Sequence, residues 1–402
     1  MSELFRTANL VVRSVPCEDL SRWVVTFDNY GLGPGFERDG FGEPFLKAYG
    51  ISAIHVLGRG NDWYQYPEIA DALAAVRQGV AGAQRVMTYG SSMGGYAAVR
   101  FADAVGATSV LAFSPQYSLD PAKAGHDRRW QQDAHRIQWL EAVDGPIRSA
   151  IKPVVIYDST GLDGWHGDRI GQDVETVAVR LPHTAHPVAV YLDEIGLLRS
   201  LVFDGLEGVI DGPTIQREAR LRRRASANYY GELALRQPAS RDRTGLGLAR
   251  KAVELGPLNG HALSSLAALL SRQNLHQEAL VHHKLLVEIS GAKPDYLIPY
   301  ADALVAAGNL EEACNVAAQV AAIAPHMSRF QIWAADILWK GGAAQEACAA
   351  LGAALAHNPT DLLVQAKLSQ WRLECRGPVV RPGAKAWRRL QRWWARRVRI
   401  AA

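Results

Sequence analysis

The chain has 402 residues, of which 48% are hydrophobic and 21% charged, and its formal net charge is +4. This length accommodates two domains with a core each, and so mild a charge does not favour a nucleic-acid binder. The four cysteines form no CxxC pair, which argues against a zinc site or a disulfide framework and fits a reducing compartment. With no signal-peptide core and no apolar run of 18 residues, we expect a cytoplasmic protein without a membrane span, metal or cofactor.

Short apolar runs rich in β-branched residues alternate with helical stretches over residues 1–210. These runs lie at 23–27, 51–57, 85–89, 109–113, 154–158 and 174–181. Such alternation is typical of parallel strands that are joined by crossover helices and buried on both faces. We therefore predict an α/β domain over 1–210 with a mostly parallel, doubly wound sheet, and a lid-like helical insertion over 120–152.

The stretch 85–98, RVMTYGSSMGGYAA, predicts a strand, a tight turn and a helix. Gly90, Ser92 and Gly94 have the GxSxG spacing of a nucleophile elbow, in which the serine stands at the tip of a strained strand-to-helix turn. The glycines are needed because a Cβ two residues from the serine would clash there. Ser91 is excluded because Tyr89 occupies its first glycine position. We predict that Ser92 is a nucleophile.

A serine hydroxyl is a poor nucleophile unless a base removes its proton. In an open parallel sheet such a base lies on a loop at the carboxyl end of a strand. The loop 182–187 contains two histidines, His183 and His186. His186 precedes a proline suited to the first turn of a helix and therefore lies at the loop-to-helix corner. We predict His186 as the base and keep His183 as the alternative.

The base must in turn be oriented by an acid, and the segment after the strand 154–158 offers three aspartates. Asp163 is predicted to lie in the middle of the loop, where its side chain can turn inwards. Asp158 at the strand end and Asp168 at a possible helix start are the alternatives, since each has a simple role in a turn or a cap. We favour Asp163.

The oxyanion that forms on a substrate carbonyl needs two hydrogen-bond donors. One is the backbone N–H of Met93, which follows the nucleophile. The second is predicted on the loop after the strand 23–27, at Asn29 or Tyr30. Candidate pocket residues follow other strand ends, namely Trp63, Tyr64 and Gln116.

The order of Ser92, an acid and His186 on this strand pattern resembles the α/β-hydrolase family over about residues 8–205. The runs WVVTFDNYG, NDWYQYPEI, YGSSMGGYAA and FSPQYSLDP resemble a bacterial subgroup associated with surface polysaccharides and glycoconjugates. The resemblance implies a serine esterase that cleaves an ester-containing small molecule or an acylated glycoconjugate. The chain departs from many esterases, since residues 28–31 replace an HGGG-type loop. Acyl transfer, thioester cleavage or a catalytically vestigial scaffold are the rival interpretations.

Residues 211–245 are rich in arginine and lack a sustained apolar face, which predicts a linker. Alanine and leucine dominate residues 246–375, where Glu278, Glu312 and Glu346 are spaced by 34 residues. A helical repeat of this period resembles the tetratricopeptide family and implies a surface for a protein partner, with a rigid spacer or a dimerisation platform as the alternative. The pattern covers three repeats and a capping helix near 362–374.

The segment 376–402 carries nine Lys or Arg residues and no acidic residue. Residues 381–402 can form an amphipathic helix with tryptophans on one side and arginines around it. Such a helix suits an anionic membrane surface or a polyanion, and the alternatives are a helix docked on the repeats or a disordered segment. A peripheral membrane location therefore stands beside the cytoplasmic one.

Overall fold

In the computed structural model, residues 2–31, 35–324 and 327–376 are described. The chain forms two compact units, Met1–Leu269 and Leu270–Ala402. The first contains all the strands of the described residues, and the second is helical. The predicted amphipathic helix of 381–402 lies outside the described residues. Within the described ranges, no helix is long and apolar enough to cross a bilayer.

The first unit is built on one sheet of eight strands in the order β1-β2-β4-β3-β5-β6-β7-β8. The strands are β1 (Ser2–Arg6), β2 (Leu10–Val15), β3 (Asp19–Phe27), β4 (Ile51–Gly58), β5 (Arg85–Ser91), β6 (Ser109–Phe113), β7 (Val154–Asp158) and β8 (Val177–Leu181). Strands β3 to β8 pair in parallel, whereas β2 runs antiparallel to both β1 and β4. The predicted mostly parallel sheet is confirmed, and the sequence reading missed only the two antiparallel strands at its edge.

Helices cover both faces of this sheet. The helices of this unit that precede α14 (Gly260–Arg272) are α1 (Glu43–Ala48), α2 (Ile69–Gly79), α3 (Met93–Arg100), α4 (Ala102–Val105), α5 (Pro121–Ala124), α6 (Gln131–Arg136), α7 (Glu141–Asp144), α8 (Leu162–Asp173), α9 (Val188–Glu194), α10 (Leu198–Glu207), α11 (Gly212–Arg222), α12 (Ala227–Leu235) and α13 (Asp242–Leu255). Every residue of β4 is buried, as expected for a strand covered on both sides. The two faces hold separate apolar clusters, one around Trp63 and Tyr96 and the other around Phe113 and Tyr191.

The predicted linker over 211–245 is wrong as a description of this segment. It forms α11 and α12, the beginning of α13, and two short 3-10 turns, Arg223–Ala225 and Ala239–Arg241. Helix α11 packs against β8, with Ile215 and Ala219 buried in one apolar cluster of the sheet. Three arginines lie on the same helix and make its narrow apolar face difficult to recognise in the sequence.

The turn between β5 and α3 has the geometry of the predicted elbow. Ser92 adopts φ 56° and ψ −118°, and its N–H donates to the carbonyl of Phe113 at 2.8 Å. A Cβ on Gly90 would lie 2.2 Å from the Gly94 carbonyl oxygen, and a Cβ on Gly94 would lie 2.4 Å from the Phe27 carbonyl oxygen. The two glycines therefore permit the helix to pass directly over the ends of β5 and β3.

Replacing Gly94 with Ala is expected to destabilise the protein by about 3 kcal/mol, because the obstructing atom is backbone and cannot rotate away. Gly247 in α13 is the matched control, since a Cβ added there meets no atom of the described residues within 4 Å. Gly247→Ala should instead stabilise by up to about 1 kcal/mol, through the higher helix propensity of alanine. Urea unfolding measures both, and equal unfolding midpoints would contradict the packing at the elbow.

The segment 120–152 lies between β6 and β7 and contains three short helices, α5, α6 and α7. Several contacts hold it to the sheet domain. Tyr96 donates to Asp144 at 2.9 Å, Arg100 donates to the Gly145 carbonyl at 2.6 Å, and Arg136 pairs with Asp62 at 2.6 Å. The predicted helical insertion is thus a closely attached part of the domain.

The second unit is an array of consecutive helices that pack on their neighbours around one apolar cluster. The chain continues through α14 (Gly260–Arg272), which contains the boundary between the units, to α15 (His276–Ser290), α16 (Pro294–Ala306), α17 (Leu310–Ile323), α18 (Ser328–Lys340), α19 (Ala344–His357) and α20 (Leu362–Arg376). The starts of α14, α16, α18 and α20 are 34 residues apart, as are those of α15, α17 and α19. This confirms a tetratricopeptide-like array of helices in the second unit.

Candidate active site

The structure brings three of the predicted residues into one chain of hydrogen bonds. Ser92 Oγ lies 2.9 Å from His186 Nε2, and His186 Nδ1 lies 2.7 Å from Asp163 Oδ2. Because a carboxylate only accepts, Nδ1 carries the proton that is donated to Asp163. Nε2 of a neutral imidazole then accepts the hydroxyl proton of Ser92. This is the protonation state in which a base can deprotonate the serine.

The loop that carries His186 is fixed by one of the alternative acids. Asp158, at the end of β7, accepts hydrogen bonds from the backbone N–H groups of Thr160, Thr184 and Ala185 at 2.7 to 2.9 Å. The Asp158 carboxylate thereby holds the turn immediately before His186. Its position supports a structural role, not direct contact with the imidazole.

Asp163 lies in the first turn of α8, with 3% of its surface exposed. The expectation of a mid-loop position is wrong, because α8 already begins at Leu162. Asp168 lies farther along the same helix and pairs with Arg180 at 2.7 Å. His183 is near Thr160 and Tyr229, and its pKa is lowered by burial. Neither Asp168 nor His183 makes a hydrogen bond to Ser92 or His186 among the described contacts.

Gln116 makes a direct contact with the serine. Its Nε2 donates to Ser92 Oγ at 3.0 Å, while its Oε1 accepts from Trp63 Nε1 at 3.2 Å. The indole N–H can only donate, so it fixes which end of the amide faces the serine. Ser92 Oγ therefore accepts one hydrogen bond and donates another. The sequence reading assigned Gln116 to the pocket but did not anticipate a bond to the nucleophile.

The predicted oxyanion donors lie around the elbow. Met93 is the first residue of α3, where a backbone N–H has no acceptor within its own helix. The loop after β3 is adjacent, because Gly94 packs on the Phe27 carbonyl. On that loop, the Asn29 side chain donates to the Tyr30 carbonyl at 3.2 Å. Tyr30 Oη donates to Asp133 at 3.0 Å, which ties the loop to α6.

The predicted pocket residues differ in their surroundings. Tyr64 is 1% exposed and packs edge-on against Phe27, and its hydroxyl donates to the Val56 carbonyl at 3.0 Å. Its assignment to the pocket is therefore wrong, since it is a core residue beneath the β3 loop. Trp63 is fully buried as well, but it supports Gln116. Trp130, which the sequence reading did not single out, packs edge-on against His186 at 5.2 Å between ring centroids.

A cluster of charged residues extends the chain of hydrogen bonds beyond Asp163. Arg129 donates to Asp163 Oδ1 at 2.7 Å and to Asp127 Oδ2 at 2.7 Å. Asp127 Oδ2 also accepts from His166 Nε2 at 3.0 Å, and His166 Nδ1 accepts the backbone N–H of Tyr117 at 3.1 Å. Asp127, Arg129 and His166 were not predicted from the sequence. The placement of the insertion next to the site pointed only towards the segment that contains Asp127 and Arg129.

The electrostatics of the cluster keep both carboxyls ionised. Burial alone would raise the pKa of Asp163, but the charges and hydrogen bonds of His186 and Arg129 outweigh it and bring the pKa to about 2. Burial is also outweighed at Asp127, where His166 and Arg129 hold the pKa well below its usual range. For His166, burial lowers the pKa despite the neighbouring Asp127. The site thus combines two carboxylates and one guanidinium with a neutral His166.

No family model matches this chain, and no curated protein matches it. Among solved structures, the tetratricopeptide protein YrrB is 19% identical with a TM-score of 0.32, over 44% of this chain and 89% of its own. The tetratricopeptide protein TTC0263 of Thermus thermophilus is 15% identical with a TM-score of 0.31, over 46% and 99%. A capsule O-acetyltransferase of Neisseria meningitidis serogroup A is 11% identical with a TM-score of 0.35, over 49% and 93%. Likenesses at these scores assign no function to this chain.

Proposed function

We propose that this protein is a serine esterase of the α/β-hydrolase type that acts through an acyl-enzyme. The observation that carries the proposal is the chain of hydrogen bonds from Ser92 through His186 to Asp163, at 2.9 and 2.7 Å, on a serine in an elbow with positive φ. The strand order and the chain order of the three residues support the same family. A simple loop serine would need neither the strained turn nor a buried carboxylate behind the histidine.

In the proposed reaction, His186 Nε2 takes the proton of Ser92 as Oγ forms a bond with the ester carbonyl carbon. The N–H of Met93 and a donor at Asn29 or Tyr30 stabilise the oxyanion. His186 then protonates the leaving alkoxide as the ester C–O bond breaks. Water attacks the acyl-enzyme with His186 again as base, which releases the carboxylic acid and regenerates Ser92.

Gln116 has a defined part in this proposal. Its amide donates to Ser92 Oγ in the resting site, and that hydrogen bond strengthens as Oγ becomes negatively charged. Trp63 keeps the amide in this orientation. Gln116 therefore stabilises the nucleophile itself, whereas the donors near Met93 act on the substrate oxygen.

The surroundings of the serine favour a short acyl group. Ser92 is 5% exposed and is bordered by Gln116, and the neighbouring imidazole packs against Trp130. Long chains would have to displace these side chains, whereas an acetyl group needs little room. Transfer of the acyl group to a bound hydroxyl, in place of water, is the second candidate outcome, with an acylated glycoconjugate as substrate or product.

A fluorophosphonate probe tests the common first step, because it phosphonylates an activated serine. We expect stoichiometric labelling of the wild type at Ser92 and none of Ser92→Ala, with mass spectrometry of the peptide as the readout. With p-nitrophenyl esters, acetate should be cleaved faster than octanoate, and an added alcohol acceptor distinguishes transfer from hydrolysis. Unlabelled wild type, or equal labelling of both proteins, would remove the esterase proposal.

For the helical array, we propose binding of a protein segment, as stacked helix pairs of this kind form extended surfaces. The proposal is independent of the chemistry at Ser92. Screening the full-length protein against a peptide library would test it, and the absence of any specific peptide would remove it.

A further inference from the structure

The guanidinium of Arg129 is shared between two carboxylates of different origin. Asp127 lies in the same insertion, whereas Asp163 belongs to α8 and contacts His186. The side chain of Asp127 is fully buried and that of Asp163 is 4% exposed, while 27% of the Arg129 side chain is exposed. The insertion therefore supplies the only cation that contacts Asp163 among the described ion pairs, apart from a protonated His186.

The cluster of Asp127, Arg129 and Asp163 carries a net negative formal charge. Two carboxylates and one guanidinium have a net charge of −1, which favours protonation of a nearby imidazole. His166 is not suited to take that proton, because its Nδ1 accepts the backbone N–H of Tyr117 and its Nε2 already donates to Asp127. His186 is suited, since its Nε2 faces the hydroxyl of Ser92.

Besides Asp163 and Asp127, no other carboxylate or guanidinium makes a described hydrogen bond or ring contact with either imidazole. Around His186 lie the neutral Ser92 hydroxyl and the ring of Trp130, besides Asp163. Around His166 lie the rings of His126 and Trp165, besides Asp127. The charge seen by His186 is thus set mainly by Asp163, Arg129 and Asp127.

We propose that Arg129 and Asp127 form a positioning pair that holds Asp163 against His186. The opposite charges of the pair also determine how readily His186 accepts the serine proton. The proposal rests on the proposed function for its catalytic meaning, but the pair acts on His186 whether or not an ester is cleaved. Arg129 restrains Asp163 Oδ1 so that Oδ2 faces the imidazole. Asp127 and His166 in turn anchor Arg129 to the loop that follows β6.

The test uses two substitutions that remove charges of opposite sign. The titration of the His186 imidazole is followed by NMR in protein labelled with ¹⁵N-histidine. Arg129→Met removes a positive charge, so the titration midpoint of His186 should move to higher pH by at least about 0.5 unit. Asp127→Asn removes a negative charge and should move the midpoint in the opposite direction. Arg129→Lys keeps the charge and should restore most of the wild-type midpoint, and His186→Asn assigns the signal.

The exposed neighbour Arg128 provides the matched control, since Arg128→Met removes the same charge from the same segment without a contact to Asp163 among the described ion pairs. It should leave the His186 midpoint unchanged. The insertion remains attached in Arg129→Met through Arg136 and Asp62, and far-ultraviolet circular dichroism checks the fold. Midpoints that stay within about 0.2 unit of the wild type, or that move in the same direction for Arg129→Met and Asp127→Asn, would overturn the proposal.

Kinetics add a readout that a purely structural role would not move. Arg129→Met should lower kcat by about 10-fold per labelled active site, with a smaller change in KM, and shift the acidic limb of kcat/KM to higher pH. A loss of activity explained entirely by fewer labelled sites, with the acidic limb unmoved, would also overturn it. If the wild type neither labels nor cleaves esters, the proposed function fails, whereas the NMR midpoints still decide the positioning pair.

Discussion

Replacing His186 with Ala is expected to lower kcat for an activated ester by about 10⁴- to 10⁶-fold, which is the scale at which loss of the base disables a serine enzyme. The physical reason is that no other side chain among the described residues makes a contact that accepts the proton of Ser92 Oγ, since Gln116 Nε2 only donates to it. The measurement is the steady-state rate with p-nitrophenyl acetate, together with the rate of fluorophosphonate labelling at Ser92.

His183→Ala is the control for this experiment, because it removes the other histidine of the same loop. His183 contacts Thr160 and Tyr229 and has no described bond to Ser92, so its loss should change kcat by less than about 3-fold. A large loss with His183→Ala and a small one with His186→Ala would reverse the assignment of the base.

Asp163→Asn is expected to lower kcat by about 10⁴-fold with the fold intact. An amide at this position can present an N–H to His186 Nδ1, which favours the tautomer with its proton on Nε2. That tautomer cannot accept the proton of Ser92. The KM should change much less than kcat, because the described hydrogen bonds of Asp163 go to Arg129 and His186 and not to Ser92. Steady-state kinetics measures the two constants separately.

Two other aspartates make this prediction specific. Asp168→Asn removes a carboxylate from the same helix that is exposed and paired with Arg180, and kcat should stay within about 2-fold. Asp158→Asn should instead lower the free energy of unfolding, because Asp158 accepts several backbone N–H groups of the His186 loop. A catalytic loss for Asp168→Asn comparable with that of Asp163→Asn would contradict the geometry.

The parallel strands and the 34-residue repeat could be predicted because each leaves a periodic signal in the sequence. A buried strand such as 109–113 is apolar throughout most of its length, and its observed bounds are the same as the predicted ones. Likewise, the spacing of Glu278, Glu312 and Glu346 matches the spacing of the helices that contain them. Backbone pattern alone was enough for these features.

Residue roles that depend on side-chain direction could not be predicted in the same way. Three aspartates within eleven residues, 158–168, are equivalent in the sequence, and only the turn of α8 at Leu162 aims Asp163 inwards. Tyr64 and Trp63 are adjacent aromatics after one strand, yet one supports the core and the other supports Gln116. Neighbours in sequence thus differ because distant segments decide what each side chain meets.

The cluster of Asp127, Arg129 and His166 was missed for a related reason. Arg129 lies between the short helices α5 and α6, where no periodicity distinguishes a buried ion pair from a solvated charge. His166 lies on α8 among several polar residues, and its burial comes from the insertion that covers it. The pattern of charges along the sequence does not indicate such contacts between distant segments.

The hydrogen bonds around Ser92 form a ring that is closed through the backbone. The two residues at which the series of hydrogen bonds ends are adjacent in the chain. Gln116 donates to the serine, and the next residue, Tyr117, donates its N–H to His166 at the far end of the charged cluster. Replacing the insertion with that of another chain is therefore expected to disturb the hydrogen bonds of Ser92, unless the residues it contacts on α8 are exchanged with it. The substituted insertion needs residues equivalent to Asp127 and Arg129 that fit Asp163 and His166 on α8. Without them, the hydrogen bonds from Asp163 to His166 are lost.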